Sequence, residues 1–393
     1  MPSALVLVIN SGSSSLKFSL YDMHTGAEVV AGLAERLETP DAMLSWRNGG
    51  GDKHTLAIAN QDHEGALLAM YERIKSLGVP KAVGHRVVHG GEAFSASVLI
   101  DEAVIEGIEQ CASLAPLHNP ANVLGIKAMQ NLYPQVPQVA VFDTAFHQTL
   151  SEPAYLYAIP MSYYRDHSVR RYGFHGTSHR YVAGKAVEQL GLDPDNHGII
   201  TAHLGNGCSA TAVRNGRSVD TTMGMTPLEG LVMGTRSGDV DPGLHEHLAN
   251  RLDMSLAEIT AMLNRKSGLL GLSGVSNDMR TLTEAADHGN THAQRAIDVF
   301  CFRLARQVGA LAASLERLDA LVFTGGIGEN ARSIRAQVLA RLPLFGFHCD
   351  TELNQRNGDE RGVITRAGSV PAVVIATREE WVIARDAYEL SLT

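Results

Sequence analysis

Three short turns in this 393-residue chain carry the residue types that bind phosphate. They are Asn10-Ser11-Gly12-Ser13-Ser14-Ser15-Leu16-Lys17, His203-Leu204-Gly205-Asn206-Gly207-Cys208-Ser209 and Gly325-Gly326-Ile327-Gly328-Glu329-Asn330. Each follows an apolar run of strand-forming residues. Glycine has no Cβ, so backbone N–H groups can converge on an anion there, and serine hydroxyls add donors. Lys17 would supply a point charge for a terminal phosphate. One such turn alone is more often a tight hairpin; three in one chain point to a nucleotide site. No GxxxxGK[ST] sequence is present, which excludes a P-loop, and no strand leads into GxGxxG, so a Rossmann dinucleotide site is unsupported. Asp143 is a second chemical signal, because it ends an apolar run at 139–142, where α/β folds often place a catalytic group.

The elements that must position these groups read as alternating strands and helices. Residues 4–9 form a strand, 10–15 a turn and 16–21 a returning strand. Apolar runs follow at 82–83 and 139–142. Helical periodicity separates them: Val104, Ile105, Ile108 and Cys111 share one face of the segment 101–114. The second half opens in the same style, with a strand at 198–202, the 203–209 turn and a return at 210–213. Aligned on their turns, Asn10 faces His203, Gly12 faces Gly205 and Ser15 faces Cys208, as a duplicated domain would require. Helices are expected over 255–264 and 293–317. Strands are expected over 320–324 and 370–376, and a last amphipathic helix over 379–390. The class is α/β, with an N-terminal domain at 1–150, a C-terminal domain at 151–378, and the helix 379–393 packing back on the first.

Composition excludes other classes. A formal charge of −9 provides no basic field, which argues against a nucleic-acid partner. No apolar run approaches the roughly 18 residues that span a bilayer, and no basic region precedes the first strand, so a soluble, cytoplasmic protein without a membrane partner is expected. The four cysteines, Cys111, Cys208, Cys301 and Cys349, show no CxxC pair and read as reduced thiols.

The motifs taken together are similar to those of the acetate kinase family. The first two turns, with their preceding strands, resemble its two signatures. Gly84-His85-Arg86-Val87-Val88-His89-Gly90-Gly91, Ala115-Pro116-Leu117-His118-Asn119-Pro120 and Val141-Phe142-Asp143-Thr144-Ala145-Phe146-His147 also resemble it. So do Arg171-Tyr172-Gly173-Phe174-His175-Gly176-Thr177-Ser178-His179, Met233-Gly234-Thr235-Arg236-Ser237-Gly238-Asp239 and residues 323–330. The resemblance runs in order over essentially the whole chain. It implies two duplicated actin-like ATPase domains of ribonuclease H-like type, with the active site in the cleft between them, and a homodimer.

It also implies Mg2+-dependent phosphoryl transfer between ATP and acetate, with Mn2+ as the alternative metal. A carboxylate nucleophile is already ionised at neutral pH, so the demand is for cations and fixed donors, not a strong base. By resemblance, Arg86 grips the substrate carboxylate, and His175 and Arg236 stabilise the phosphoryl group in flight. The resemblance gives Asp143 an acid/base or substrate-activating role; the already ionised nucleophile favours orienting an arginine or a metal-bound water over abstracting a proton. Asn10 and Glu379 hold the metal, with Glu380 as the fallback; Arg378 stands where the family usually has Asn. Lys17, His203, Leu204, Gly205, Asn206 and Gly207 contact phosphates. Gly325, Gly326, Ile327, Gly328, Glu329 and Asn330 border the adenosine, with Asp278, Met279 and Arg280 near the base or ribose. His118, His147 and His179 lie within the motifs but read equally well as packing residues. Val88, Leu117, Phe174 and Pro227 correspond to the family's alkyl pocket, and Val88 narrows that pocket towards acetate. A propionate kinase, a non-catalytic actin-like ATP-binding protein and a sugar kinase of the same superfamily are the competing readings.

Overall fold

The computed structural model describes residues 4–116 and 118–393. The chain forms two compact units, Met1–Phe146 with Arg378–Thr393, and His147–Thr377. In the first unit the strands are β1 (Leu5–Ser11), β2 (Ser15–Asp22), β3 (Ala27–Glu35), β4 (Met43–Asn48), β5 (Lys53–Ala57), β6 (Ala82–Val87), β7 (Val98–Leu99) and β8 (Gln138–Phe142). They make one sheet in the order β5-β4-β3-β2-β1-β6-β8-β7. β1, β6 and β8 run parallel, while β2 and β3 return antiparallel.

Burial follows from the two-residue period of a strand. Leu5, Leu7 and Ile9 of β1 face a core with Leu16, Phe18, Leu67 and Met70. The alternate residues, Val6 and Val8, face Val139, Val141 and the C-terminal helix Glu379–Leu390 through Ile383, Ala384 and Ala387. That helix lies so close that a Cβ on Gly84 of β6 would come within 2.7 Å of Ile383 Cγ2. Both faces of the parallel strands are therefore covered, which is why their sequences are continuously apolar.

The second unit contains β9 (Gly198–Leu204), β10 (Cys208–Arg214), β11 (Arg217–Thr221), β12 (Ala320–Thr324) and β13 (Ala372–Val374). Their order is β11-β10-β9-β12-β13, with the hairpin strands antiparallel and β9, β12 and β13 parallel. This repeats the arrangement β3-β2-β1-β6-β8 of the first unit. The fold is the duplicated actin-like one, each sheet having the ribonuclease H-like order. Helix Gly176–Leu190 covers one face of the second sheet, with Val182 and Ala186 against Ile199, Ala320 and Val322.

Several local expectations are corrected. Asn10 and Ser11 are strand residues, paired with Lys17 and Leu16, and the turn is only Gly12–Ser14. His203, Leu204, Cys208 and Ser209 likewise belong to strands, because the hairpin ladder runs almost to its tip. The segment Gly325–Asn330 is a short helix, not a turn: Gly325, at φ 75°, swings the chain off β12 directly into it. Helix 101–114 ends as an α-helix at Gln110, and helix 293–317 runs over Thr291–Ala312, capped by Asn290.

Candidate active site

The first unit gathers its chemistry at the carboxyl ends of its parallel strands. β1 ends on Asn10 and Ser11, β6 carries Arg86 as its penultimate residue, and Asp143 follows β8 directly. Register explains the meeting: Ile9 pairs with His85 and Arg86 pairs with Val141. The Arg86 guanidinium donates from Nε to Asp143 Oδ1 at 2.9 Å and from Nη2 to Oδ2 at 2.6 Å. Its Nη1 makes a longer, 3.4 Å contact to Asn10 Oδ1. Burial disfavours the Arg86 charge, but Asp143, Glu379 and Glu380 together outweigh burial and hold the guanidinium protonated more firmly than usual. Asp143 has both oxygens committed and is 1% exposed.

The C-terminal helix brings two more carboxylates to this end. Glu380 ion-pairs with Lys17; burial raises the Glu380 pKa, but Lys17, a backbone N–H and Arg86 together outweigh burial and lower it. Glu379 is pushed up to about 7 by burial; Arg86 opposes the shift, and Asp143 and Glu380 add to it. Three carboxylates here face two cations, Arg86 and Lys17, so the cluster has room for added positive charge. The donors Asn10 and Glu379 suit a hard cation that completes its shell with water and phosphate oxygens. Among the described residues no group of three or more His, Cys, Asp or Glu could hold a metal by itself. Glu380, with Lys17 on it, is the less available carboxylate. The guanidinium of Arg378 lies 5.4 Å over the Trp381 ring, and no ion pair joins it to Glu379 among the described residues.

In the second unit the turn Gly205–Gly207 is the focus. Gly205 N donates to Gly207 O within the turn, and Gly234 N donates to Asn206 O, tying the Met233–Asp239 segment to it. A Cβ on Gly207 would lie 3.5 Å from His175 Nε2 and 3.6 Å from Arg236 Nη1. The turn, the imidazole and the guanidinium therefore surround one locus. Arg236 donates to Pro227 O at 3.0 Å and contacts Met233 Sδ at 3.8 Å. Burial lowers its pKa, and among the described residues no carboxylate pairs with it. A half-buried guanidinium so placed has the charge and the planar donors that suit an anion.

His175 sits at φ 56° as N-cap of helix Gly176–Leu190, a left-handed conformation that costs a non-glycine residue about 1 kcal/mol or more. The carbonyl of the preceding residue, Phe174, accepts from His147 Nε2 at 3.0 Å. The His175 ring stacks on His203 at 4.4 Å between centroids, and His203 Nδ1 meets Ser178 Oγ at 2.8 Å. β12 lies beside β9, with Thr324 opposite His203, so helix Gly325–Asn330 starts against Leu204. Glu329 Oε1 accepts from Gly325 N at 3.0 Å and Thr377 N at 3.1 Å, so this side chain anchors the segment. Asp278 caps helix Met279–Asp287 and chelates the exposed Arg280, and Met279 is buried. The adjacent Asn277 donates to Asn206 Oδ1 at 2.9 Å, which ties this corner to the turn.

The structure thus groups Asn10, Lys17, Arg86, Asp143 and Glu379 in one unit. His175, His203–Gly207, Arg236, Gly325–Asn330 and 278–280 are grouped in the other. Of the residues expected to line an alkyl pocket, Val88 belongs to the first unit, Phe174 and Pro227 to the second, and Leu117 lies outside the described residues. Sequence reasoning gave no role to Asn122, which bridges Ser11 O and Val88 N, to the hydroxyls of Thr201 and Ser209, which contact His179 and His175, or to Thr377, whose hydroxyl meets Ser178 Oγ. Thr201 and Ser209 are buried in continuous strands, where a hydroxyl carries no sequence signal beyond its polarity.

The model of the Acetokinase family matches residues 5–385. A relative from Deinococcus radiodurans, named Acetate kinase, is 53% identical over 385 residues, covering 97% of this chain and 96% of its own. Among solved structures, a propionate kinase from Francisella tularensis has TM-score 0.94 at 44% identity, covering 98% of this chain and 100% of that one. Porphyromonas gingivalis acetate kinase has TM-score 0.93 at 44% identity, with coverage of 99% and 100%. With its fold, its strand-end residues and these likenesses in agreement, the chain belongs to the acetokinase family.

Proposed function

We propose that the chain transfers the γ-phosphoryl group reversibly and in line between ATP and acetate, with Mg2+, giving acetyl phosphate and ADP. The observation that carries this reading is the Asp143–Arg86 chelate. A sugar kinase needs a carboxylate poised to accept a hydroxyl proton; here both Asp143 oxygens accept from Arg86 instead. That arrangement suits a nucleophile that arrives already ionised and must be drawn towards a polyanion.

Arg86 holds the acetate carboxylate, and Asp143 fixes the plane of the guanidinium. Arg236 and the His175 imidazole take up charge on the transferring phosphoryl oxygens near Gly207, where a loose transition state spreads it. His203–Gly207 and Lys17 contact the nucleotide phosphates; Gly325–Asn330 and residues 278–280 border the nucleoside. Asn10 and Glu379 would hold Mg2+, or Mn2+ in its place, and the ion when bound neutralises phosphate charge. The groups on acetate and metal belong to a domain of residues 1–150 with 379–393, and those on the nucleotide to a domain of 151–378. By the family resemblance, Val88, Phe174 and Pro227 are the candidates for contact with the methyl group. Among the described residues no helix is long and apolar enough to cross a membrane; a cytoplasmic homodimer without a nucleic-acid partner is the accompanying reading. Propionate is the second substrate to weigh, because the Francisella tularensis structure is titled a propionate kinase.

The test is to incubate the protein with ATP, Mg2+ and each acid, then trap product with hydroxylamine. Acethydroxamate is expected. Failure to form hydroxamate with either acid, while ATP still binds, would leave an actin-like nucleotide-binding protein.

A further inference from the structure

Behind His175 lies a line of buried polar side chains that phosphoryl transfer itself does not use. His175 Nδ1 meets Ser209 Oγ at 2.9 Å. On its other side Ser209 Oγ meets His179 Nε2 at 2.7 Å, and His179 Nδ1 meets Thr201 Oγ1 at 2.7 Å. Thr201 and Ser209 lie diagonally across the β9–β10 pair: Thr201 pairs with Thr211, and Ser209 with His203. His179 rises from helix Gly176–Leu190, one turn after His175. Thr201, Ser209 and His179 are fully buried.

Each hydroxyl has one proton, and a neutral imidazole has one N–H and one acceptor. Burial, with lesser repulsion from His147 and His203, pushes the His179 pKa well below its ordinary value, so this ring is neutral. Two directions of donation are then consistent with the contacts. In one, Thr201 gives its proton to His179, His179 Nε2–H donates to Ser209, and Ser209 donates to His175 Nδ1. In the other every bond is reversed, and the Thr201 proton is left for Thr211 O at 3.4 Å. That distance lies beyond the ordinary O–H···O range, whereas the first direction places all three protons on contacts of 2.7 to 2.9 Å.

We infer that Thr201, His179 and Ser209 form a one-way hydrogen-bond relay that fixes neutral His175 with its proton on Nε2. This inference rests on the proposed role of His175 at the phosphoryl group. Nε2 is the atom 3.5 Å from the Cβ position of Gly207, beside Arg236 Nη1. The relay makes the imidazole an N–H donor at that locus without the ring having to be a cation. His179 and Ser209 are thereby positioning residues: they act through His175 and do not touch the phosphate.

The direct test is the tautomer of each ring in the intact protein labelled with 15N-histidine. Long-range 1H–15N spectra distinguish the two nitrogens, and the His175 and His179 signals are assigned by their loss in His175→Gln and His179→Gln. Both rings are expected with the proton on Nε2. A proton on Nδ1 of either ring overturns the relay, whatever the activity of the protein. A second arm compares substitutions at position 179. Glutamine sets its amide nitrogen where Nε2 was and can still donate to Ser209; asparagine reaches only the Thr201 side. His179→Asn is expected to lose roughly 100-fold in kcat with KM for ATP little changed, as when one transition-state donor is lost, and His179→Gln to recover most of it. Equal losses in the two would mean that His179 only fills space. An inactive wild type with both protons on Nε2 would instead sink the phosphotransfer reading and leave the relay standing.

Discussion

Arg86 and Asp143 meet edge to edge, Nε to Oδ1 at 2.9 Å and Nη2 to Oδ2 at 2.6 Å, at the ends of two neighbouring parallel strands. The carboxylate is almost wholly buried and the guanidinium side chain is 25% exposed. Arg86→Ala would strand a buried charge, so a loss of about 3–5 kcal/mol in unfolding free energy is expected from urea titration. Arg86→Lys cannot restore the two parallel bonds. It should lower kcat/KM for acetate by roughly 100-fold or more, and activity within a few-fold of wild type would show that the planar fork is not needed.

Gly207 tests the phosphate locus without removing a charged group. Its added Cβ would sit at ordinary contact distances from His175 and Arg236, where the phosphoryl oxygens are proposed to lie. Gly207→Ala should therefore keep its melting temperature and lose roughly 100-fold in kcat/KM for ATP. Full activity would place the phosphates elsewhere.

Glu379 is the proposed metal ligand held at an unfavourable protonation balance by burial. Glu379→Gln should raise the Mg2+ concentration for half-maximal turnover by roughly 10- to 100-fold. Mn2+ binding in the presence of ADP, followed by electron paramagnetic resonance, should weaken in parallel. Unchanged binding with Glu380→Gln impaired would move the ligand by one residue.

Val88, 8% exposed, bears on which acid is preferred. One methylene in an apolar pocket is worth about 1–3 kcal/mol, so wild type should accept propionate poorly but measurably. Val88→Ala should raise the propionate-to-acetate ratio of kcat/KM by roughly tenfold. An unaltered ratio would remove Val88 from the alkyl pocket.

His85 sets an acid limb on stability. Burial lowers its pKa to about 4, against which its bond to Gln138 works only in part. The unfolded chain binds the proton more readily, so stability is fully present above about pH 6.5 and is lost as pH falls towards 4. The loss over that window is about 3 kcal/mol from this one ring. Urea midpoints of wild type should fall with pH across it, and those of His85→Leu should fall less steeply; parallel slopes would assign the limb to other groups.

The order of elements and the family were legible in the sequence, because buried parallel strands impose continuous apolar runs and tight turns impose glycine. Strand β12 and the C-terminal helix needed nothing more. The duplication showed only as three aligned turn residues; the matching strand orders of the two sheets made it plain, since pairing is a long-range property. Residue type marked Arg86, Asp143, His175 and Arg236, but only register decided that Asp143 is chelated by Arg86, and only the folded segment around Pro227 left Arg236 with no carboxylate partner among the described residues. The same holds for Gly325–Asn330: its glycines read as a turn, while the single left-handed φ of Gly325 starts a helix. Thr201, Ser209 and His179 lay within the motifs, but nothing in the sequence joined them. Two strands and a helix must fold together before two hydroxyls and a second imidazole can determine where one histidine keeps its proton.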